Sequence, residues 1–285
     1  MVPKIQLLDG GTLYEINKKY NDLGETCIND NPEYITNIHQ NYINMGCRYI
    51  TTSNYGFKSL KFDNWKDLAL KSCLATENLN KRHNTKILGC LPPYFESYHN
   101  GKVNREFINF YNNLIDIMDN YVDKYIIETC VSMSHVVTII DILEKRTSKD
   151  VFFSIYPNGD ITKNDIKFLI QLRYKNLKGI LINCCNFNDM VNYYNINIKS
   201  LNISKYIFGF YCNTLDEKKY TKMDNSLKKK VSLQDFKNND KIEINSLQDF
   251  LFNYKSTSNI IIGGCCGYGV DEMRELINLI VTVYN

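Results

Sequence analysis

The stretch Ile260-Ile261-Ile262-Gly263-Gly264-Cys265-Cys266-Gly267 runs three apolar residues into two glycines and two adjacent cysteines, and 270–283 behind it has the spacing of an amphipathic helix. A short apolar run that stops at glycine reads as a buried strand, so the thiols stand where a strand gives way to a turn. Gly179-Ile180-Leu181-Ile182-Asn183-Cys184-Cys185 has the same form. Cys184 and Cys265 lie too far apart in the chain for one small zinc knuckle. They can meet only if both strands belong to one sheet whose same-side ends converge.

The rest of the chain supplies that sheet. Strands are predicted at 4–8, 48–52, 86–91, 124–127, 151–156, 179–183, 206–211 and 259–264. Between them, helical spacing occurs at 32–45, 62–79, 106–118, 134–143 (with Ser134 as its N-cap), 164–172, 187–194 and 246–254. Strands alternating with helices argue for parallel βαβ units, and eight of them for a closed (β/α)8 TIM barrel in one domain over 1–285. A doubly wound open sheet is the alternative. No Gly-x-Gly-x-x-Gly follows the first strand, which counts against a dinucleotide fold. In a barrel the C-terminal strand ends share one face, where active sites sit. The polar residues at those ends are Asp9, Thr51 and Thr52, Glu128, Asn183 and Cys184, Asn213, and Cys265 with Cys266.

With 285 residues, 44% hydrophobic and 23% charged, the composition is that of ordinary globular material. No apolar run is long enough to span a membrane, and Met1-Val2-Pro3-Lys4-Ile5 lacks the apolar core of a signal peptide. A cytoplasmic location is therefore expected. There the ten cysteines would be reduced, as core residues, metal ligands or nucleophiles. Cys27, Cys47, Cys73, Cys90 and Cys130 stand singly and read as core. Residues 217–241 carry eight lysines against four acidic residues, enough to account for the formal charge of +3. A near-neutral body with one basic loop, inserted at about 213–245, does not have the broad basic face of a nucleic-acid binder.

Three cysteines at two converging strand ends leave three readings open: a catalytic zinc with three protein ligands and one open position, buried core cysteines, or a redox pair. Adjacent cysteines form a strained disulfide, which weakens the last. Both Cys265 and Cys266 can face inward only where the strand ends, and Gly263-Gly264 would supply the freedom. Cys184 is a better third ligand than Cys185, since it follows Asn183 at the strand end. His39, His83, His99 and His135 are scattered and read as surface or helix-face residues. Asp9 and Glu128 are either helix caps or binders of an amine.

Leu8-Asp9-Gly10-Gly11 with Glu15, Pro32-Glu33, His39-x-x-Tyr42 and Thr51-Thr52-Ser53-Asn54-Tyr55 resemble the start of the homocysteine S-methyltransferases. Pro93-Tyr94, Glu128-Thr129, Asn183-Cys184, Tyr211-x-Asn213 and Gly263-Gly264-Cys265-Cys266 continue the resemblance in order, over essentially the whole chain. It implies a zinc-containing (β/α)8 barrel that methylates L-homocysteine to methionine. Cys184, Cys265 and Cys266 would hold Zn2+ and, through it, the homocysteine thiolate. Asp9 and Glu128 would hold the substrate amino group, with Gly10, Gly11, Thr52 and Asn183 also in the substrate pocket. The chain departs from the family at Leu181, where glycine is common, at Cys212, where proline is, and at Phe95-Glu96-Ser97, near the expected donor site. The donor is expected to be a sulfonium, S-methylmethionine or S-adenosylmethionine. Betaine is disfavoured because the chain stops after the eighth helix, whereas betaine-using relatives carry a C-terminal extension. A monomer is expected. A non-catalytic homologue that binds zinc or thiol amino acids is the reading from a different class.

Overall fold

The computed structural model describes residues 3–20, 22, 24–58, 62–82, 84–215, 232–237, 241–254 and 259–284. Most of the basic loop, at 216–231 and 238–240, lies outside them, as does His83. Eight parallel strands alternate with helices. The strands are β1 (Ile5–Leu7), β2 (Tyr49–Thr51), β3 (Lys86–Leu91), β4 (Lys124–Cys130), β5 (Val151–Ile155), β6 (Leu177–Asn183), β7 (Ile207–Cys212) and β8 (Ile260–Gly264). From β2 to β8 each strand pairs with the next, and β8 pairs with β1 at Ile5–Ile260, Gln6–Ile261 and Leu7–Ile262. The seam between β1 and β2 is closed by single contacts rather than by a ladder. Arg48 N–H donates to Leu7 O at 2.8 Å, and Asp9 N–H donates to Tyr49 O at 3.0 Å. The expected barrel is therefore present and nearly closed.

The strands read as continuous apolar runs because both faces are covered. Inside the barrel, Leu8, Leu88, Ile126, Leu181 and Ile261 pack around Tyr49 and Phe152. Those two rings meet edge to face at 5.6 Å. Tyr49 carries a polar tip into this interior and satisfies it on Gln6 Oε1 at 2.7 Å. Outside, the helices bury their apolar stripes against the sheet in a second, larger core. These helices are α3 (Pro32–Asn44), α4 (Trp65–Leu74), α5 (Arg105–Met118), α6 (Met133–Arg146), α7 (Lys163–Gln171), α8 (Phe187–Tyr193), α9 (Ile244–Asn253) and α10 (Val270–Tyr284). Among the described residues, no helix is long and apolar enough to cross a membrane.

Three expectations are corrected. Helix α6 begins before Ser134, with Ser132 at the N-cap position and no side-chain capping bond. Two helices were not foreseen, α1 (Thr12–Tyr20) and α2 (Glu25–Asp30). The apolar residues of α1 are few and interleaved with Glu15, Lys18 and Lys19, and α2 has six residues, of which only Cys27 and Ile28 are buried. Gly263 and Gly264 do not supply left-handed backbone. They are needed for close approach: a Cβ on Gly263 would stand 2.7 Å from Leu8 Cβ, and one on Gly264 would stand 2.3 Å from Tyr268 Cβ. The left-handed residue of this turn is Gly267, at φ 88°, one position past the cysteines.

Candidate active site

A cavity of about 670 Å3, including its open mouth, lies over the C-terminal ends of the strands. Asp9, Gly10 and Gly11 of the β1 end, Thr51 and Thr52 of β2, Glu128 of β4, and Cys184, Cys265 and Cys266 all line it. Asn183 and Asn213 do not. The Asn183 side chain is buried behind the thiols, donating through Nδ2 to Thr129 Oγ1 at 3.2 Å and to Cys184 Sγ at 3.3 Å. Asn213 N–H ties its own strand end to Cys185 O at 2.8 Å.

Cys184 and Cys265 bring their sulfurs to 3.2 Å across β6 and β8. Cys184 gets there through a left-handed backbone, φ 57°, at the end of its strand. That twist separates it from Cys185, which is buried in the outer core and hydrogen-bonded to Cys212. Cys266 is half-buried on the cavity wall, and its thiol bonds to that of Cys265. Among the described residues, no group of three His, Cys, Asp or Glu side chains is preassembled as a metal cage. All three thiols nevertheless share one wall.

Without a cation Cys184 and Cys265 hold their protons. Cys184 is pushed well up, first by its bond with Cys265 and then by burial. For Cys265 the bond with Cys184 pulls down, but the bond with Cys266 and burial outweigh it. A divalent cation inverts this balance by binding the thiolate form.

The carboxylates face the thiols across the cavity. Asp9 is almost fully buried, and it accepts from Thr51 N–H at 2.7 Å and Thr51 Oγ1–H at 3.1 Å. Burial raises its pKa well above the ordinary carboxylate range, against the Thr51 hydrogen bonds, and the charge of Glu128 adds to the rise. Glu128 is pushed up to about 7 by burial, opposed by hydrogen bonds from Cys90 and Tyr211. Among the described residues, the hydrogen-bond partners of both are neutral. Two desolvated carboxylates with neutral partners, on one cavity, are an arrangement that could hold a cation.

Residues that the strand-end rule missed complete the walls. Tyr14, Tyr55, Tyr98 and Tyr211 line the cavity. Tyr98 directly follows Phe95-Glu96-Ser97, the segment expected near a donor; its ring lies 4.5 Å from that of Tyr156. Phe95 of the same segment points away, packing on Phe107 and His135. Ser53 also lines the cavity, and behind it His39 is fully buried, its Nε2 2.9 Å from Ser53 Oγ. His39 is thus an interior residue, not a surface one, and burial lowers its pKa to about 4. His135 is buried as well, against Gly101 O. The chain is rich in tyrosine, but nothing local told which rings turn inward.

A family model for homocysteine S-methyltransferase matches residues 6–280. No curated protein sequence matches the chain. Among solved structures, the metallated form of the homocysteine methyltransferase MmuM from Escherichia coli superposes with a TM-score of 0.70 at 16% identity, covering 96% of each chain. Its apo form gives 0.70 at 19% identity, covering 97% of this chain and 96% of that one. Its oxidized form gives 0.70 at 19%, covering 95% and 94%. At these identities the likeness is one of fold.

Proposed function

The chain belongs to the homocysteine S-methyltransferase family of enzymes, and we propose that it transfers a methyl group from a cationic sulfonium, S-methylmethionine or S-adenosylmethionine, to the thiol of L-homocysteine with the help of zinc. The observation that carries this reading is the cavity itself, where Cys184 and Cys265 touch at 3.2 Å opposite Asp9 and Glu128. The whole chain, 1–285, acts as one barrel domain and a monomer, with 213–245 as an insertion between β7 and β8.

The donor set fits zinc. Cys184, Cys265 and Cys266 would hold it, and three thiolates with an open fourth position is a catalytic arrangement. Two sulfurs on one tetrahedral zinc stand about 3.8 Å apart, given Zn–S bonds of about 2.3 Å, so the Cys184–Cys265 contact is already close to that spacing. When bound, zinc would supply a substrate thiolate at neutral pH, where a free thiol is mostly protonated.

Asp9 and Glu128 would take the substrate ammonium. An ammonium between them favours the ionised form of both and lowers the pKa of each from its raised value in the empty cavity. The tyrosine walls exclude water and present ring faces suited to a sulfonium cation. With acceptor and donor both fixed, transfer is an in-line displacement whose acceleration comes from proximity and orientation. The methyl group itself needs no acid or base.

The test is methionine formation from homocysteine with S-methylmethionine, S-adenosylmethionine or betaine in separate reactions, beside a zinc assay of protein purified without chelator. Turnover with a sulfonium and about one zinc per chain are expected. No product with any donor points to a binding homologue, and product from betaine alone overturns the donor class.

A further inference from the structure

Thr129 is a β-branched residue held in the left-handed region, at φ 53°. Such a conformation is strained for a β-branched residue and persists only where surrounding contacts impose it. It lies inside a register shift between Ile127 and Cys130 that breaks the β4–β5 ladder. Irregularities of this kind re-aim side chains. In a regular strand, Glu128 and Thr129 would face opposite sides of the sheet. Here Glu128 reaches the cavity and Thr129 reaches Cys184.

The hydrogen bonds around the Thr129 hydroxyl admit one consistent assignment. Tyr55 OH donates to Oγ1 at 3.3 Å, and Asn183 Nδ2 donates to it at 3.2 Å. A hydroxyl has two acceptor lone pairs and one proton. Both lone pairs are taken, so the proton is left for the remaining neighbour, Cys184 Sγ at 3.3 Å. The sulfur accepts a second bond from the other hydrogen of Asn183 Nδ2, also at 3.3 Å. The same logic extends away from the cavity. With its proton on Thr129, the Tyr55 oxygen accepts from Ser97 Oγ–H at 3.0 Å. Ser97 Oγ in turn accepts from Lys58 Nζ at 3.4 Å. Lys58 is buried, its ammonium also donating to Phe95 O at 3.3 Å and standing 5.3 Å over the Tyr55 ring. Every link points the same way, from a buried ammonium to a cysteine sulfur.

We propose that Lys58, Ser97, Tyr55 and Thr129 form an orienting network that fixes Cys184 Sγ as a metal ligand and stabilises negative charge on it. The inference rests on the zinc reading above. Lys58, Ser97 and Thr129 do not line the cavity and are positioning residues, acting through Cys184; Tyr55 presents its ring to the cavity, and its hydroxyl is the group that acts in the network. Donors aligned in series polarise one another in a dry interior, so the Thr129 hydroxyl is a stronger donor for having Tyr55 and Lys58 behind it. The strain at Thr129 follows from the same requirement: its hydroxyl must reach Tyr55, Asn183 and Cys184 at once.

The experiment measures zinc dissociation constants by competition with a chromogenic chelator, for wild type, Thr129→Val, Thr129→Ser, Tyr55→Phe and Cys184→Ser. Loss of a group that supports a metal ligand costs tenfold to a hundredfold in affinity, and that range, about 10- to 100-fold, is expected for Thr129→Val. Thr129→Ser keeps the hydroxyl and should bind like wild type, which a purely packing role for the threonine would not produce. Tyr55→Phe cuts the series one link further out and should weaken zinc by less. It also serves as the probe if Thr129→Val fails to fold. The cobalt(II) form of each variant gives a second readout, since a displaced Cys184 alters the thiolate-to-cobalt absorption. Zinc affinity unchanged in Thr129→Val and Tyr55→Phe, with binding abolished in Cys184→Ser, overturns the network and leaves the zinc site standing. Failure of Thr129→Ser to restore binding overturns the hydroxyl assignment. Affinity unchanged in Cys184→Ser removes that residue from the metal, and the network falls with it.

Discussion

Replacing Asp9 by asparagine separates substrate recognition from support of the fold. The carboxylate accepts two bonds from one residue, Thr51 N–H at 2.7 Å and Thr51 Oγ1–H at 3.1 Å. Asparagine can reproduce both. Its oxygen takes the backbone N–H, and its NH2 donates to Thr51 Oγ1, whose hydroxyl is free to rotate. The exchange trades a charge-assisted bond for a neutral one, a loss of about 1 kcal/mol. Burial of the charged form opposes that loss, since desolvation already raises the Asp9 pKa well above the ordinary value. The net change in stability is therefore small, and 1 kcal/mol moves the melting temperature of a large domain by about 2–4 °C. Binding is another matter. An ammonium held by Asp9 and Glu128 loses one charged acceptor, worth about 1.5–3 kcal/mol, or roughly tenfold to a hundredfold in affinity. The assay is calorimetric titration of zinc-loaded Asp9→Asn with homocysteine, beside thermal melting of the same preparation. Unchanged affinity would refute the assignment of Asp9 to the substrate. A melting temperature lowered by much more than about 4 °C would show that the Thr51 clamp, which joins β1 to β2, is its main role.

Cys184→Ser and chelator treatment of wild type should each remove zinc and activity while the barrel melts within a few degrees of the untreated protein, because the core is built by the strands and helices; collapse of both on thermal melting would show that the metal is structural. His39 should contribute a fall in stability between pH 6.5 and 4, against the rise that Glu128 and Asp9, whose carboxyls burial holds above their ordinary range, contribute on acidification. Burial lowers the folded-state pKa of His39 to about 4, so in that window the unfolded chain binds a proton that the folded one refuses. The contribution, present above pH 6.5 and lost on acidification, is about 3 kcal/mol from 1.36 kcal/mol per unit. Denaturant melts of His39→Gln should lose that part of the pH slope, and an unaltered slope would exclude His39 as its source. Gly267→Ala adds a Cβ at φ 88°, where it would stand 2.0 Å from Thr214 Oγ1. The cost is about 1–3 kcal/mol, read as a lower melting temperature together with weaker zinc binding, since the strain falls beside Cys266. A variant indistinguishable from wild type in both would show that the turn relaxes freely.

The barrel was legible in the chain because its signals are local. Parallel strands covered on both faces appear as unbroken apolar runs, and 86–91 was assigned to the residue. The stops at Gly263-Gly264 and Asn183-Cys184 placed thiols at strand ends, and topology alone requires such ends to share one face. The cavity accordingly holds Asp9, Thr52, Glu128, Cys184, Cys265 and Cys266. Helix α1 escaped because its apolar residues are few and broken by charge, and α2 because it has only six residues.

What the linear pattern could not determine is where side chains turn once strands end, because that depends on contacts between residues far apart in the chain. Cys184 was preferred over Cys185 because it follows Asn183, but the left-handed backbone by which it meets Cys265 has no sign in the chain. Asn183 was expected in the substrate pocket and is instead committed to Thr129 and Cys184. Thr129 has its position from the break in the β4–β5 register, and His39 is interior because Ser53 and the sheet close over it. Periodicity records which face of an element is buried. It does not record which of several polar groups at a strand end will find a partner on another strand, since only packing brings those groups within hydrogen-bond reach.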